Sequence, residues 1–422
     1  MEFKNVDDLK KYLKSLKNSK KRRHPQDYIF GVELEGALVD GNGKPLKADK
    51  LIPYLNSIYQ DFEFGGEAGA CQIEIRSFPR EFAGEALREK EEYLQDAVLD
   101  IAELAEKIYK TDAIFLLIGA NPHPMVLNDE WISNTPRAKK LAEWRSQFSP
   151  IKITSKEIEP RHIALIIQSI HLHIQGKSPK DVADKFNRLL YMVPEQIALS
   201  ANSPIVGGEV VDYAEARLLL YEMADGGNAG LPKLKKYPVT IEEYGEYVDS
   251  FSPILANSLT EKVKERHEDN RIRFEIPFRV ENRVCSTQCT IKENMALIEY
   301  IVGRLKYAQR WSRRAYPDLK EIEINRIEAI RKSLKGNFIW RGKSVAVHKY
   351  LMECIEKAEK GLKDLGVTPR YLHILRRRVR RRKTSADVLR RWFERREGDV
   401  EEKISYLVNR IWEKTKKNYP LI

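Results

Sequence analysis

Hydrophobic and polar positions recur along this chain with two different periods. Val6, Leu9, Leu13 and Leu16 fall at helical spacing, so residues 6–20 read as a short amphipathic helix. The basic segment Lys20-Lys21-Arg22-Arg23 and Pro25 follow it, and residues 1–25 are read as a basic leader. From Tyr28 the pattern changes to short alternating strands mixed with helices. Residues 82–110 and 178–198 read as helices, Ala113 to Gly119 as a buried strand, and Asp225 to Gly230 as a mobile loop. From about residue 292 almost everything carries the helical period. Strands and helices without regular βαβ alternation predict an α+β fold with an antiparallel sheet. The expected layout is a main domain over 26–304 and a helical C-terminal region, 305–422, packed on it.

Four of the strands share an unusual polar face. Side chains alternate across a strand, so Glu33 and Glu35 point away from Val32 and Leu34. In the same way Gln72, Glu74 and Arg76 oppose Ile73 and Ile75. His171 and His173 oppose Ile170, Leu172 and Ile174, and Glu281 and Arg283 oppose Val280 and Val284. One such strand would read as half-buried with a solvated face. Four of them in one sheet would gather Glu33, Glu35, Glu74, His171 and Glu281, with Glu67 near enough to join. Carboxylates that converge without cations repel one another and hold their protons. A divalent ion removes that repulsion, and oxygen donors with one imidazole suit Mg²⁺ or Mn²⁺. Such ions on a sheet face suit the phosphates of ATP. The chain has no Walker-type glycine loop and no dinucleotide fingerprint, which leaves phosphate binding to metals and arginines.

Composition narrows the class further. The 422 residues are 42% hydrophobic and 32% charged, enough apolar material for a sizeable core. The longest apolar run, Ala113 to Ala120, is too short to span a bilayer, and a cytoplasmic protein is expected. The net charge of +12, from 74 Lys and Arg against 62 Asp and Glu, favours anionic ligands. Cys285 and Cys289 lie close, but without a second Cys/His pair they read as reduced, buried thiols. His123 reads as a turn residue. The basic run Leu375 to Lys383 invites RNA, yet aromatic interleaving is sparse, and it is read as a solvated helix end.

In that order along the chain, Glu-x-Glu, Glu…Glu, His-x-His and Glu-x-Arg resemble the glutamine synthetase superfold. The sequence resembles more closely the second glutamate–cysteine ligase family, the carboxylate–amine ligases. Gly31-Val-Glu-Leu-Glu35 matches the opening strand of that family, and Glu67 with Cys71-Gln-Ile-Glu74 matches its second acidic motif. Gly119-Ala-Asn-Pro-His-Pro124 resembles its Gly-Thr-His-Pro turn, and His171-Leu-His173 its paired histidines. Pro194-Glu-Gln-Ile-Ala-Leu-Ser-Ala-Asn-Ser-Pro204, followed by Arg217, is the most specific match. Val280-Glu-Asn-Arg-Val-Cys-Ser-Thr287 and the tail residues Asn325, Arg326 and Arg331 complete the series. Departures cluster on the acceptor side: Ser286 stands where the family has Asp, and Trp-Asp-x-Arg is reduced to Asp269-Asn-Arg-Ile-Arg273.

The resemblance implies a curved antiparallel sheet as the floor of an active site. It implies one metal on Glu35, Glu67 and Glu74 and another on Glu33, His171 and Glu281. His173, Arg217 and Arg283 would contact substrate or phosphate, and Arg283, Asn325, Arg326 and Arg331 would hold nucleotide. The implied reaction uses ATP and Mg²⁺ to form an amide from glutamate and an amine such as cysteine, through an acyl phosphate. Two alternatives stand beside it: a nucleic-acid-binding protein on an inactive ligase scaffold, and a phosphotransferase of the same fold. The acidic motifs disfavour nucleic acid. Small-molecule substrates are the expected partners, with no membrane, and a homodimer is left open.

Overall fold

A computed structural model describes residues 2–18, 27–312 and 316–422. The basic segment at 20–23 and Pro25 lie outside the described residues. The first six strands are β1 (Ile29–Asp40), β2 (Phe62–Gly66), β3 (Gln72–Ser77), β4 (Arg80–Glu81), β5 (Ala113–Leu116) and β6 (Ile170–Gln175). Two short pairs follow, β7 (Ile205–Val206) with β8 (Glu209–Val210), and β9 (Ala229–Gly230) with β10 (His267–Glu268). β11 (Asn270–Arg273) and β12 (Arg279–Asn282) complete the main sheet, and β13 (Asn337–Trp340) and β14 (Lys343–Ala346) make a late hairpin. The main sheet runs in the order β11-β12-β6-β1-β3-β2, with β4 and β5 also pairing β1. Its strands are antiparallel, as the sequence pattern predicts.

Register places the polar residues side by side. Glu35 faces Glu74 across the β1–β3 pair, Glu33 faces His171 across β1–β6, and Glu281 faces His173 across β12–β6. The opposite face carries Phe30, Val32, Leu34, Ile73, Ile75, Leu172 and Ile174 into the larger core. That face is covered by α3 (Ala86–Tyr109), α6 (Pro179–Tyr191) and α11 (Ile291–Ala308), whose buried stripes enter the same core. Gly36 is dictated by close approach, because a Cβ there would lie 2.4 Å from the Phe115 ring of β5.

The expected helix over 178–198 is broken. Ser178 caps α6 by accepting from Asp181 N, and Pro179 starts it. α6 then ends at Met192, and α7 (Val193–Ser200) begins there, because Pro194 has no N–H to continue the ladder. The first helix, α1 (Val6–Asn18), buries Val6, Leu9 and Leu13 in the main core beside Phe3, which precedes it, and leaves Leu16 exposed. The Phe3 amide donates to Thr260 Oγ1 at 2.9 Å, and Leu9 packs against Gly245 of α9 (Ile241–Asp249). This helix is therefore part of the core of the main fold.

The C-terminal region is mostly helical: α12 (Leu319–Lys332), α13 (Val347–Asp364), α14 (Leu372–Arg381), α15 (Ser385–Arg395) and α16 (Val400–Lys416). The β13–β14 hairpin interrupts it, contrary to the helical reading from 292 onward. α11 and α13 touch through glycine, and a Cβ on Gly361 would lie 1.9 Å from Gly303 O. α14 carries the basic run, and there the solvated reading fails at one residue. Arg378 is fully buried, donating to Leu199 O at 2.9 Å, Gln288 Oε1 at 2.8 Å and Glu293 Oε1 at 2.7 Å. Arg376 is half-buried against Glu359, whereas Arg380 and Arg381 are exposed. Among the described residues no helix is long and apolar enough to cross a membrane.

Candidate active site

The polar face of the sheet holds three overlapping groups of ligand-type atoms, each within 4.8 Å of one another: Glu35, Glu67 and Glu74; Glu33, Glu74 and His171; and Glu33, His173 and Glu281. The first is the set the family resemblance implies. The other two divide the expected Glu33, His171 and Glu281 set, with His173 beside Glu281. Glu33 links them, its Oε2 lying 2.8 Å from His171 Nδ1 and its Oε1 2.9 Å from His173 Nε2. Glu35 accepts from Ser169 N at 2.6 Å and from Ser169 Oγ at 2.8 Å. The Ser169 hydroxyl also meets His171 Nε2 at 2.7 Å, which fixes that ring.

The electrostatics differ from one end of the face to the other. Burial, with Glu35 and Glu33 close by, pushes the Glu67 carboxyl up to about 8. Burial and the charges of Glu33, Glu67 and Glu35 likewise hold Glu74 well above the usual carboxylate range. Glu67 has no hydrogen bond or ion pair among the described residues, and Glu74 has one ion pair, to Arg76 Nε at 3.3 Å. These are oxygen donors short of positive charge, and a hard divalent ion fits them. The far end is saturated with cations. Glu281 receives Arg271 through two bonds of 2.9 and 2.7 Å, Arg273 at 2.8 Å, and Arg283. Burial would raise its carboxyl, but the three guanidinium groups hold it well below the ordinary range. Burial, with Arg283 close by, lowers His171, so its ring is a neutral donor set for a metal.

A cavity opens over the Glu35 and Glu67 end, lined also by Ser169, Arg217, His267 and Arg283. Arg283 reaches it from the end of β12. Arg217, on α8 (Ala216–Ala224), is almost buried, donating through Nε to Ser286 Oγ at 2.9 Å and through Nη2 to Val284 O at 2.6 Å. Its Nη1 has no protein partner among the described residues. Ser286 does not face the cavity. It is fully buried between Arg217 and Glu215, to which it donates at 2.6 Å, and a Cβ on Gly119 would lie 2.5 Å from its hydroxyl. Glu215 thus supplies beside Arg217 the carboxylate that Ser286 lacks. A second, larger cleft of about 840 Å³ reaches Gly66 and Gln72 on either side of Glu67, with Lys47, Lys139 and Arg161 on its walls.

The tail residues lie elsewhere. Asn325 is committed to the β13 backbone, donating to Ile339 O at 2.7 Å and accepting from Ile339 N at 2.6 Å. Arg331 is exposed at the end of α12. Neither lines this cavity. Arg326 is buried against Asp269 at 2.6 Å and Glu222 at 2.8 Å, and acts on the cavity through Asp269, which lines it. The Asp225–Gly230 segment is pinned: Asp225 is buried and bound to Arg145 at 2.7 Å and to His267 at 2.8 Å. His123 caps the short turn over Pro124–Val126 by accepting from Met125 N. All four cysteines are buried free thiols, and burial pushes Cys71 and Cys285 up to about 12.

Sequence reasoning missed Arg271, Arg273, His267 and Asp225. A signal existed for the first two, because Arg271 and Arg273 alternate on a strand next to Glu281. His267 and Asp225 meet only through the fold.

The overall fold is shared with solved ligases. A glutamate–cysteine ligase from Francisella tularensis, solved in complex with AMP, superposes with a TM-score of 0.62 at 13% identity, over 92% of this chain and 89% of that one. A bifunctional glutathione synthetase from Pasteurella multocida gives 0.58 at 14% identity, over 92% of this chain and 52% of its own. A Legionella pneumophila relative that bears the ligase family's name is 23% identical over 344 residues, 80% of this chain and 82% of its own. The model of glutamate–cysteine ligase family 2 matches residues 29–406, and the chain belongs to that family.

Proposed function

We propose that this enzyme is an ATP- and Mg²⁺-dependent carboxylate–amine ligase that forms an amide through an acyl phosphate, with the γ-carboxylate of glutamate as the first candidate donor. The observation that carries the reading is the chain of three donor groups sharing Glu33 and Glu74 along one sheet face. When bound, divalent ions there would neutralise phosphate charge during phosphoryl transfer. Glu35, Glu67 and Glu74 would hold one ion, and Glu33 with His171 or His173 another. A carboxylate is a poor electrophile because oxide is its leaving group, and phosphorylation gives it a stable one. Arg283 and the free Nη1 of Arg217 stand on the cavity wall, where guanidinium groups suit phosphate or carboxylate oxygens. The adjoining cleft is large enough for a nucleotide.

The test is ADP release with glutamate, a panel of amines including cysteine, and Mg²⁺ present or chelated. ADP and amide should appear together, only with Mg²⁺, and rise with the right amine. Phosphate retained on an acceptor without amide would instead make the enzyme a phosphotransferase. No ADP with any carboxylate would sink the reading.

A further inference from the structure

The cavity that Glu35 and Glu67 line also holds a histidine that none of the three donor groups uses. His267 belongs to β10, whose parallel pairing with β9 is braced by a bond from His267 N to Asn228 O at 2.7 Å. Its Nδ1 lies 2.8 Å from Asp225 Oδ2. The other oxygen of Asp225 takes Arg145 through Nε at 2.9 Å and Nη2 at 2.7 Å. Asp225 is therefore fully buried, charged and immobile, and the one tautomer that satisfies it places the proton on Nδ1. The Tyr221 ring packs on the imidazole with centroids 5.0 Å apart, fixing its plane. Nε2 has no protein partner among the described residues, and His267 lines the same cavity as Glu35, Glu67, Arg217 and Arg283.

We infer that His267, held by Asp225, is the general base that takes the proton from the acceptor's nitrogen as it attacks the acyl phosphate. The inference rests on the ligase reading above. Most amine acceptors arrive as ammonium ions, which have no lone pair to attack with. One proton passes to Nε2, the nitrogen forms its bond to the acyl carbon, and the carbon–oxygen bond to phosphate breaks. The second proton leaves on the departing phosphate, and the imidazolium returns its own to solvent. Asp225 steadies the imidazolium and acts as a positioning residue.

The surroundings suit that role. Tyr221 of α8, Asp225 just after it, Arg145 of α4 (Pro136–Arg145) and Arg283 face the ring. Glu268 and Asp269 also line the cavity, and each is paired with an arginine, Arg266 and Arg326. In the empty cavity burial holds the imidazole down to about 4 despite Asp225, so it is neutral there and holds a proton only weakly. An acyl phosphate in the cavity adds negative charge and raises its hold on a proton.

The test separates activation from aminolysis. Hydroxylamine is uncharged at neutral pH and needs no base to expose its lone pair. Wild type and His267→Gln are compared for glutamate-dependent hydroxamate formation and for amide formation with cysteine, glycine and methylamine. The variant should form hydroxamate close to the wild-type rate while its turnover with the ammonium acceptors falls about 100-fold or more. Retained hydroxamate also shows that the variant is folded. Equal loss with both classes of acceptor, or no loss with either, overturns the assignment. So does a wild type that takes hydroxylamine but none of the three ammonium acceptors. A wild type that forms neither product overturns the ligase reading, and this inference falls with it.

Discussion

Glu67 is the residue whose loss separates metal binding from folding. It carries a carboxylate with no partner among the described residues, against Glu35 and Glu33. Glu67→Gln should remove Mg²⁺-dependent ADP formation while leaving the melting temperature at pH 8 unchanged or higher, because it also removes a repulsion. A large drop in melting temperature would show that Glu67 has a structural role instead. The same carboxyl sets a pH signature. Its folded value of about 8 stands above the unfolded value near 4.5, so the native state keeps a proton that the unfolded chain gives up. That contribution is fully present below the unfolded value and is lost as pH rises through 8. Melting temperature without metal should therefore fall between about pH 4.5 and 8 and level off above that, and saturating Mg²⁺ should flatten the fall. An identical slope with and without Mg²⁺ would contradict the site. The acidic residues were legible because strand alternation alone puts Glu33 and Glu35 on one face. The cationic clamp on Glu281 was legible only in part: alternation puts Arg271 and Arg273 on one face of their strand, but their meeting with Glu281 depends on β11 pairing with β12. Glu281→Gln is therefore a poor probe of metal: it would leave three arginines without their shared partner, Arg271 buried among them.

At the scale of elements, α14 shows how a uniform run of arginines conceals different roles. Arg378→Gln should cost about 3–5 kcal/mol of stability, because it leaves Glu293 buried and without its cation. Arg380→Gln and Arg381→Gln should each stay within about 0.5 kcal/mol, as exposed changes do. Urea unfolding of the three variants decides it, and equal effects would return the run to a solvated face. The sequence shows that this segment is helical and basic, but which arginine turns inward depends on α7 and α11 beneath it. The β13–β14 hairpin escaped for a local reason. Its turn has positive φ at Arg341 and Gly342, as a type I′ turn requires, and arginine is a weak signal for that conformation. The break between α6 and α7 was legible, because Pro194 stands inside the expected helix, four residues before its end.

At the scale of the whole molecule, the segment from Phe3 through α1 is built into the main core. Phe3, Val6, Leu9 and Leu13 are buried, and burying such side chains is worth roughly 1.5–3 kcal/mol each. Their sum approaches the whole stability of an ordinary domain. Deleting residues 2–18 should give a protein that is largely unfolded or aggregated in gel filtration and thermal melts. A cooperative melt near that of the full chain would show the helix to be an appendage, as its amphipathic sequence alone suggests. The helical period gave the face of α1, but nothing in it pointed to Thr260 or Gly245 as the surface it meets.

The sheet order also has a consequence for synthesis. β1 sits between β3 and β6, yet β6 begins about 130 residues after β1 ends. At roughly 5–20 residues per second, β1 waits on the order of ten seconds on the ribosome with one edge bare. A bare edge invites pairing with a neighbouring nascent chain, and charged side chains along it discourage that. Glu33 and Glu35 would then keep unfinished chains apart before any metal reaches them. Fragments ending before residue 170 should stay dispersed, while the same fragments carrying Glu33→Val and Glu35→Val should precipitate; equal solubility of the two would count against this protective role.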